Sequence, residues 1–487
     1  MRRGLWSLLA LSLVLVSLTV LTPQTVTPQT ATPQTATPQT VVAQGRSSEQ
    51  LALREIYQEL VEINTSDSVG DNTRAAEAMA ARLRAAGVPA DDVQVLAPAP
   101  RKGNLVARLR GTGARKPLLL LAHLDVVEAR REDWTTDPFT LVEKDGYFYG
   151  RGVSDDKAMA AIFVDTLIRL TREGWKPSRD LILALTADEE LGSSSPYNGV
   201  RWLLANHRGL IEAELAINEG GGGEIRGGRH TVNRLQTSEK VPINFRLEVT
   251  NRGGHSSRPR KDNAIYQLAE GLVRLGAFEF PVALNDTTRL YFERTATQHS
   301  GQLADDMRAV AQTPPDPTAL ARLAADTLYN STLRTTCVAT RLEGGHASNA
   351  LPQTARATVN CRVLPGEKPE DVQAELVRVL ASDKITVTAT GEFIRSDPSS
   401  ISGDLMGRVE RITAEMWPGA LVIPSMSTGA TDSRWLRNAG IPSYGVSGIF
   451  YAEDSRAHGQ DERVTVRAFY EAQTFLYRLV KDLGSAQ

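Results

Sequence analysis

His123 and Asp125 stand one residue apart at the end of Leu118-Leu119-Leu120-Leu121-Ala122, and both residue types can serve a metal ion. An imidazole that binds a cation through one nitrogen commonly gives its other N–H to a carboxylate. In a strand, residues two apart point the same way, so Asp125 is placed to be that partner. Asp155-Asp156 closes the run Gly150-Arg151-Gly152-Val153-Ser154, Asp188-Glu189-Glu190 follows the apolar run from Leu181 to Ala187, and Glu219 follows Leu215-Ala216-Ile217-Asn218. Like charges crowded at a strand end repel, and are tolerable where a cation neutralises them or where they face open water. Each group alone has a structural explanation. A histidine packs, an aspartate at a helix start caps it and complements its dipole, and an acidic loop is solvated. The repetition on four segments is what favours one shared site.

The elements that must position these groups follow from periodicity. Four consecutive leucines predict a strand buried on both faces, as in a parallel sheet, and open α/β sheets keep their ligand sites at the carboxyl ends of such strands. Leu53, Ile56, Leu60 and Ile63 recur at helix spacing from Ser48, a second helix runs from Asn72 to about Ala86, and strands follow at 104–109, 118–122, 181–187 and 215–217. Asp155 and Asp156 sit just before a helix carrying Ala161, Val164, Leu167 and Leu170. The excursion after Asp125, with Trp134 and Asp137-Pro138-Phe139, is read as a loop bordering the site. From about Gln236 the order becomes strand (243–250), helix (263–275), strands (337–342 and 355–363), helix (369–380) and strand (385–390). That series is the split βαβ pattern of an inserted ferredoxin-like domain. The stretch 276–329, with Pro314-Pro315 and Pro317, is longer than a usual connection and reads as a partly helical insertion without an assigned function. After Gly403 come a helix to Met416, strand-like segments at 421–424 and 443–446, His458, and a last helix from Val466 to Leu483. The chain therefore divides into 48–235 and 394–487, forming one interrupted domain, and 236–393, forming the inserted one.

The 487 residues exceed one ordinary core, and a formal charge of −2 recommends no nucleic-acid partner. Arg2 and Arg3 precede an apolar run from Leu5 to Leu21, the layout of a secretory signal. A Thr-Pro-Gln-Thr repeat around Pro23, Pro28, Pro33 and Pro38 reads as an extended spacer. Cleavage after Ala43 would remove both and release an exported chain. An uncleaved membrane anchor at 5–21, with the repeat as stalk, is the alternative, and no cysteine follows the run for lipid attachment.

Together with His458-Gly459-Gln460-Asp461-Glu462, these motifs resemble the zinc-dependent aminoacylase and carboxypeptidase family, which includes acetylornithine deacetylase, succinyl-diaminopimelate desuccinylase, glutamate carboxypeptidase and carnosinase-type dipeptidases. The resemblance covers nearly everything after residue 50. It implies an α/β fold, a zinc-exopeptidase-like catalytic domain with a parallel-rich central sheet interrupted by a ferredoxin-like lid that often mediates dimerisation. By position it implies that His123 and Glu219 bind one zinc, that Glu190 and His458 bind the other, and that Asp155 bridges them. It implies a cis peptide bond after Asp155 and makes Glu189 the general base. His255, in Gly253-Gly254-His255-Ser256-Ser257, takes the position that supplies a donor to the oxyanion, frequently in the other subunit. Asn349, Arg362 and, in the loop Gly429-Ala430-Thr431-Asp432, Thr431 take substrate-side positions. Imidazoles and carboxylates without thiolates suit Zn²⁺, and Mn²⁺ or Co²⁺ would also fit. Asp454 stands four residues before His458 and is read as its orienting partner.

Only Cys337 and Cys361 are present, which excludes zinc-finger readings. They lie equally far from Asn349, so a hairpin centred there would let them face each other, as a disulfide or as two buried thiols. The sequence thus points to an exported di-zinc amidohydrolase acting next to a free carboxylate, as a carboxypeptidase or dipeptidase on small peptides. An N-acyl-amino-acid hydrolase would use the same machinery, and a non-catalytic metal-binding or surface protein would not need Glu189.

Overall fold

The computed structural model describes residues 45–401 and 403–485. The readings of a signal, a repeat spacer and a cleavage point at Ala43 fall on residues outside these. Among the described residues no helix is long and apolar enough to cross a membrane.

The centre of the molecule is a large mixed sheet of ten strands. β1 (Leu118–His123) lies between β2 (Leu181–Thr186) and β3 (Leu215–Asn218) and runs parallel to both. Every residue of β1 and β2 is buried, and alternate side chains serve different cores. Leu118, Leu120, Leu183 and Leu185 face the core built on α1 (Lys157–Arg172), while Leu119, Leu121, Ile182 and Ala184 face the one holding Val200, Leu203 and Leu436. Coverage on both faces is the reason these strands carry no polar alternation. Towards the edges the sheet turns antiparallel, through Asn104–Leu109 beside β2 and Val93–Leu96 beyond it.

One long strand lies in a stretch that sequence periodicity passes over. β4 (Arg229–Glu239) pairs in parallel with β9 (Leu421–Ser427) and carries the chain out of this sheet. The change of sheet falls at Lys240, slightly beyond the boundary read at 236. There β5 (Val241–Thr250) begins a second sheet with β6 (Thr336–Gly344), β7 (Thr354–Val363) and β8 (Thr386–Thr390). Its spatial order is β6-β7-β5-β8, wholly antiparallel. With α2 (Ala264–Gly276) after β5 and α3 (Pro369–Leu380) after β7, this is the ferredoxin-like arrangement expected of the lid. Phe245, Leu247, Val359 and Cys361 face the two helices, and Arg246, Glu248 and Arg356 take the opposite face. Cys337 and Cys361 are direct partners across β6 and β7 and form a disulfide, which settles the open alternative.

The insertion is helical, with segments Asp286–Ala296, Gly301–Ala311, Pro317–Leu323 and Thr327–Leu333. It packs on the catalytic sheet, where Phe292, Met307, Val310 and Leu333 cluster with Val232 of β4 and Ile423 of β9.

Candidate active site

The strand ends, the turn before α1 and the loop that carries His458 bring five predicted ligands together. His123 leaves β1 with its Nε2 3.0 Å from Asp155 Oδ1 and 3.9 Å from Glu219 Oε2. Asp155 turns its other oxygen to His458, 3.2 Å from Nε2, and His458 lies 3.0 Å from Glu190 Oε2. Two triads therefore share Asp155, and within each triad the ligand atoms all lie within 4.8 Å of one another. The Asp155-Asp156 peptide is cis. Asp156 takes the N-cap of α1 but makes no capping bond with its side chain, so helix capping does not account for this acidic pair.

The donor set fits a pair of divalent cations. Glu190 Oε1 is buried and has no hydrogen-bond partner among the described residues. Burial and the neighbouring carboxylates push the Glu219 carboxyl well above its ordinary pKa, and burial and the Asp432 charge do the same to Glu189. Two imidazole nitrogens and three carboxylates without sulfur suit Zn²⁺, Mn²⁺ or Co²⁺.

The two histidines face the carboxylates closely enough to shift one another's titration. Burial works against the charged ring of His123, yet the Asp125, Asp155 and Glu219 carboxylates hold its pKa well above the usual value. Hydrogen bonds to Asp155 and Glu190 lift His458 to about 10. Burial opposes the charge of Asp155, but the two histidines hold its carboxyl far below the usual range. Metal ligands must be deprotonated to bind, so any proton held on these rings leaves when a cation enters. We expect Zn²⁺ titration of the metal-free chain in weak buffer to release protons, because the ligands must be deprotonated to bind, read by a pH indicator. The sign for His458 follows from its raised value. Its ion pairs stabilise the metal-free fold fully below the ordinary histidine value and lose that stabilisation as pH rises towards about 10. Metal affinity rises over the same interval.

Other side chains hold these groups in place. Nδ1 of His123 meets the backbone carbonyl of Asp125 at 2.9 Å, and the Asp125 carboxylate lies farther off at 3.6 Å. That carboxylate accepts the backbone N–H groups of Glu189 at 3.1 Å and Glu190 at 3.0 Å, so Asp125 shapes the acidic turn as well as orienting the ring. Asp188, at φ 62°, is anchored by Lys102 Nζ at 2.7 Å and Ser195 Oγ at 2.6 Å. Glu462 is fully buried and accepts from the N–H groups of Gly152, Ser154 and Asp155 and from Arg151 Nη1, which fixes the turn presenting Asp155. Sequence reasoning placed Glu462 in a motif but gave it no task. Asp454 does not orient His458, because its carboxylate accepts the N–H of Arg456.

The two triads open into a cleft of about 440 Å³ whose walls include Glu189, Arg362, Gly429, Ala430 and Arg434. The model of peptidase family M20/M25/M40 matches residues 119–482, most of the chain. The chain belongs to peptidase family M20/M25/M40. Among family members, "Probable carboxypeptidase S-like 2" of Dictyostelium discoideum is 29% identical over 379 residues, covering 75% of this chain and 72% of that protein. The N-fatty-acyl-amino acid synthase/hydrolase PM20D1 of Xenopus tropicalis is 29% identical over 377 residues, again 75% and 72%. The crystal structure of the M20 family metallo-carboxypeptidase Sso-CP2 from Sulfolobus solfataricus shares the fold, with TM-score 0.65 and 17% identity over 90% of this chain and 99% of that one. Membership makes this M20/M25/M40 chain a metal-dependent hydrolase of amide bonds.

The remaining predicted residues of this M20/M25/M40 member lie apart from the cleft or behind it. Thr431 is buried, with its N–H and hydroxyl both donated to Glu239 at 2.9 Å, and the neighbouring Gly429 and Ala430 form the wall. Glu239 also pairs with buried Arg437 at 3.1 Å, tying the exit of β4 to the loop that borders the cleft. His255 and Asn349 are exposed neighbours in the lid, where the Ser256 N–H donates to the Asn349 carbonyl at 3.0 Å. Neither belongs to the walls of the cleft within this chain.

Proposed function

We propose that this chain is an exported, di-zinc hydrolase that cleaves the amide bond next to a free carboxylate, acting on small peptides as a carboxypeptidase or dipeptidase. The observation that carries the reading is Arg362, a lid residue on β7 that lines the same cleft as both triads. A planar guanidinium matches a carboxylate with two parallel hydrogen bonds. Arg434, a second wall residue, adds positive charge beside it. Similarity to a carboxypeptidase-named protein and to an N-fatty-acyl-amino acid hydrolase fits this class of substrate. Hydrolysis of N-acyl amino acids is the second reading, favoured by the same arginine.

In this scheme His123, Asp155 and Glu219 hold one cation and Asp155, Glu190 and His458 the other. When bound, such a pair polarises a carbonyl and makes a water acidic near neutral pH. Glu189 makes no side-chain hydrogen bond among the described residues, so its carboxylate is free to take the water proton and return it to the departing amine nitrogen. Burial and the Asp432 charge raise its basicity towards that task. Arg362 fixes the carboxylate end of the substrate. His255 and Asn349 serve the site of a partner copy, across a dimer formed by the lid. The exposed Val338 and Leu342 on edge strand β6, at 58% and 68%, support such a face. Dimer-sized mass in solution supports this, and full activity of a monomer refutes it.

Hydrolysis of a dipeptide panel against N-acetyl amino acids, with Zn²⁺ and after chelation, tests the reading and selects between its two forms. Arg362→Ala is expected to raise KM about 10- to 100-fold for carboxylate-ended substrates, the loss of a charge-assisted pair, while kcat changes less. An unchanged KM would remove Arg362 from substrate recognition.

A further inference from the structure

The edge strand of the lid is held to its neighbour unevenly. Cys337 is the apolar residue of β6 that packs against the lid core, whereas Val338 to Gly344 are all exposed and the pairing with β7 shifts register between Ala339 and Arg341. An exposed, bulged edge strand keeps few contacts besides its ladder. The Cys337–Cys361 disulfide is a covalent tie across that ladder, and Cys361 is fully buried.

The tie stands beside Arg362. Successive side chains of a strand point to opposite faces, so Cys361 faces the lid helices and Arg362 the cleft that it lines. Its cross-strand partners are Thr336 on β6, the last pair of that ladder, and Pro242 on β5, which has no backbone N–H to give. The Thr336 hydroxyl accepts from Lys240 Nζ at 3.1 Å, and Lys240 is where the chain crosses from the catalytic sheet. Among the described residues the Arg362 guanidinium has no hydrogen bond or ion pair of its own, so the backbone of β7 sets its place.

We propose that the Cys337–Cys361 disulfide is a positioning pair for Arg362, locking the register of β6 against β7 and thereby setting the affinity of the cleft for the substrate carboxylate. The proposal rests on the role given to Arg362 above. With the bridge in place, the anchor of Thr336 on Lys240 is carried across the last pair of the ladder to Arg362. Without it that pair frays, and the guanidinium must be ordered again each time a carboxylate binds. None of the metal ligands lies on β5 to β8, so the bond-breaking step is left unchanged.

The test compares the full Zn²⁺-loaded chain with its Cys337→Ala, Cys361→Ala double variant, each with and without Arg362→Ala, on N-acetylalanylalanine. Removing the bridge is expected to raise KM about 3- to 10-fold, the cost of ordering a side chain and its strand end on binding, while kcat and zinc content stay within about twofold. In the Arg362→Ala background the same removal is expected to change KM by less than about twofold, because the two changes act on one interaction and do not add. Reduction of the folded, unsubstituted chain by a water-soluble phosphine is the second route. One phosphine takes the oxygen of one water and leaves as its oxide, two thiols replace the S–S bond, and KM is expected to rise equally. An unchanged KM, an equal rise in the Arg362→Ala background, unfolding of both the bridge-free and the reduced chain, or two free thiols in the untreated, denatured chain would overturn the proposal. Failure of the hydrolytic reading shows separately, as no metal-dependent turnover by the bridged chain, and calorimetric binding of the same peptide to the bridged and bridge-free chains then decides the role of the bridge.

Discussion

Glu189→Ala is expected to lower kcat by about 10²- to 10⁴-fold, the usual contribution of a positioned general base, while both metal positions stay filled. The separation of these outcomes follows from the geometry. Glu189 belongs to neither triad, whereas its neighbour Glu190 lies 3.0 Å from His458. The backbone of both residues is held by the Asp125 carboxylate, so removing the Glu189 side chain leaves the turn intact. Metal content by atomic absorption, together with single-turnover rates, checks the prediction. Loss of metal in the variant would show that Glu189 is a ligand, and a kcat within threefold of the unsubstituted chain would show that the proton goes elsewhere.

Glu462→Ala is expected to cost about 3–5 kcal/mol of stability, because it strands a buried charge. Arg151 is 3% exposed and pairs with Glu462 at 2.9 Å. The variant would also leave the N–H groups of Gly152, Ser154 and Asp155 without their acceptor, and these residues form the turn that presents the shared ligand Asp155. Metal affinity and stability should therefore fall together. Glu462→Gln keeps an oxygen acceptor in the same volume and should lose less of both. Denaturant unfolding with a parallel zinc titration distinguishes this from a purely structural role, in which the two variants would bind metal equally well once folded.

Charge at the ends of apolar strands was legible because those strands are unusual, whereas the division into two ligand sets, and His458 with it, came from the family resemblance. Four leucines running into His123, and an apolar run into Asp188-Glu189-Glu190, read as strands covered on both faces with charge at their ends. The lid was legible for a related reason, since the alternation in β5 and β7 marks sheets with one covered face. β4 escaped notice because it buries polar side chains. Asn233 bonds to Thr413, Thr237 to Thr287, and Glu239 pairs with Arg437, so hydrogen bonding substitutes for apolar alternation. Those partners lie far away in sequence, and no local pattern announces them. The same holds for Glu462, whose partners lie about three hundred residues upstream. The insertion was recognisable as helical, but amphipathic helices do not specify which surface they cover, and its docking on β4 and β9 emerged only with the fold.

The most direct measurement is hydrolysis of N-acetylalanylalanine and of its C-terminal amide by the purified chain, with Zn²⁺, after chelation and after Zn²⁺ is restored. The account predicts turnover of the free acid alone, lost on chelation and recovered with about two zinc ions per chain. Equal cleavage of the amide, or turnover that survives complete removal of metal, would contradict it.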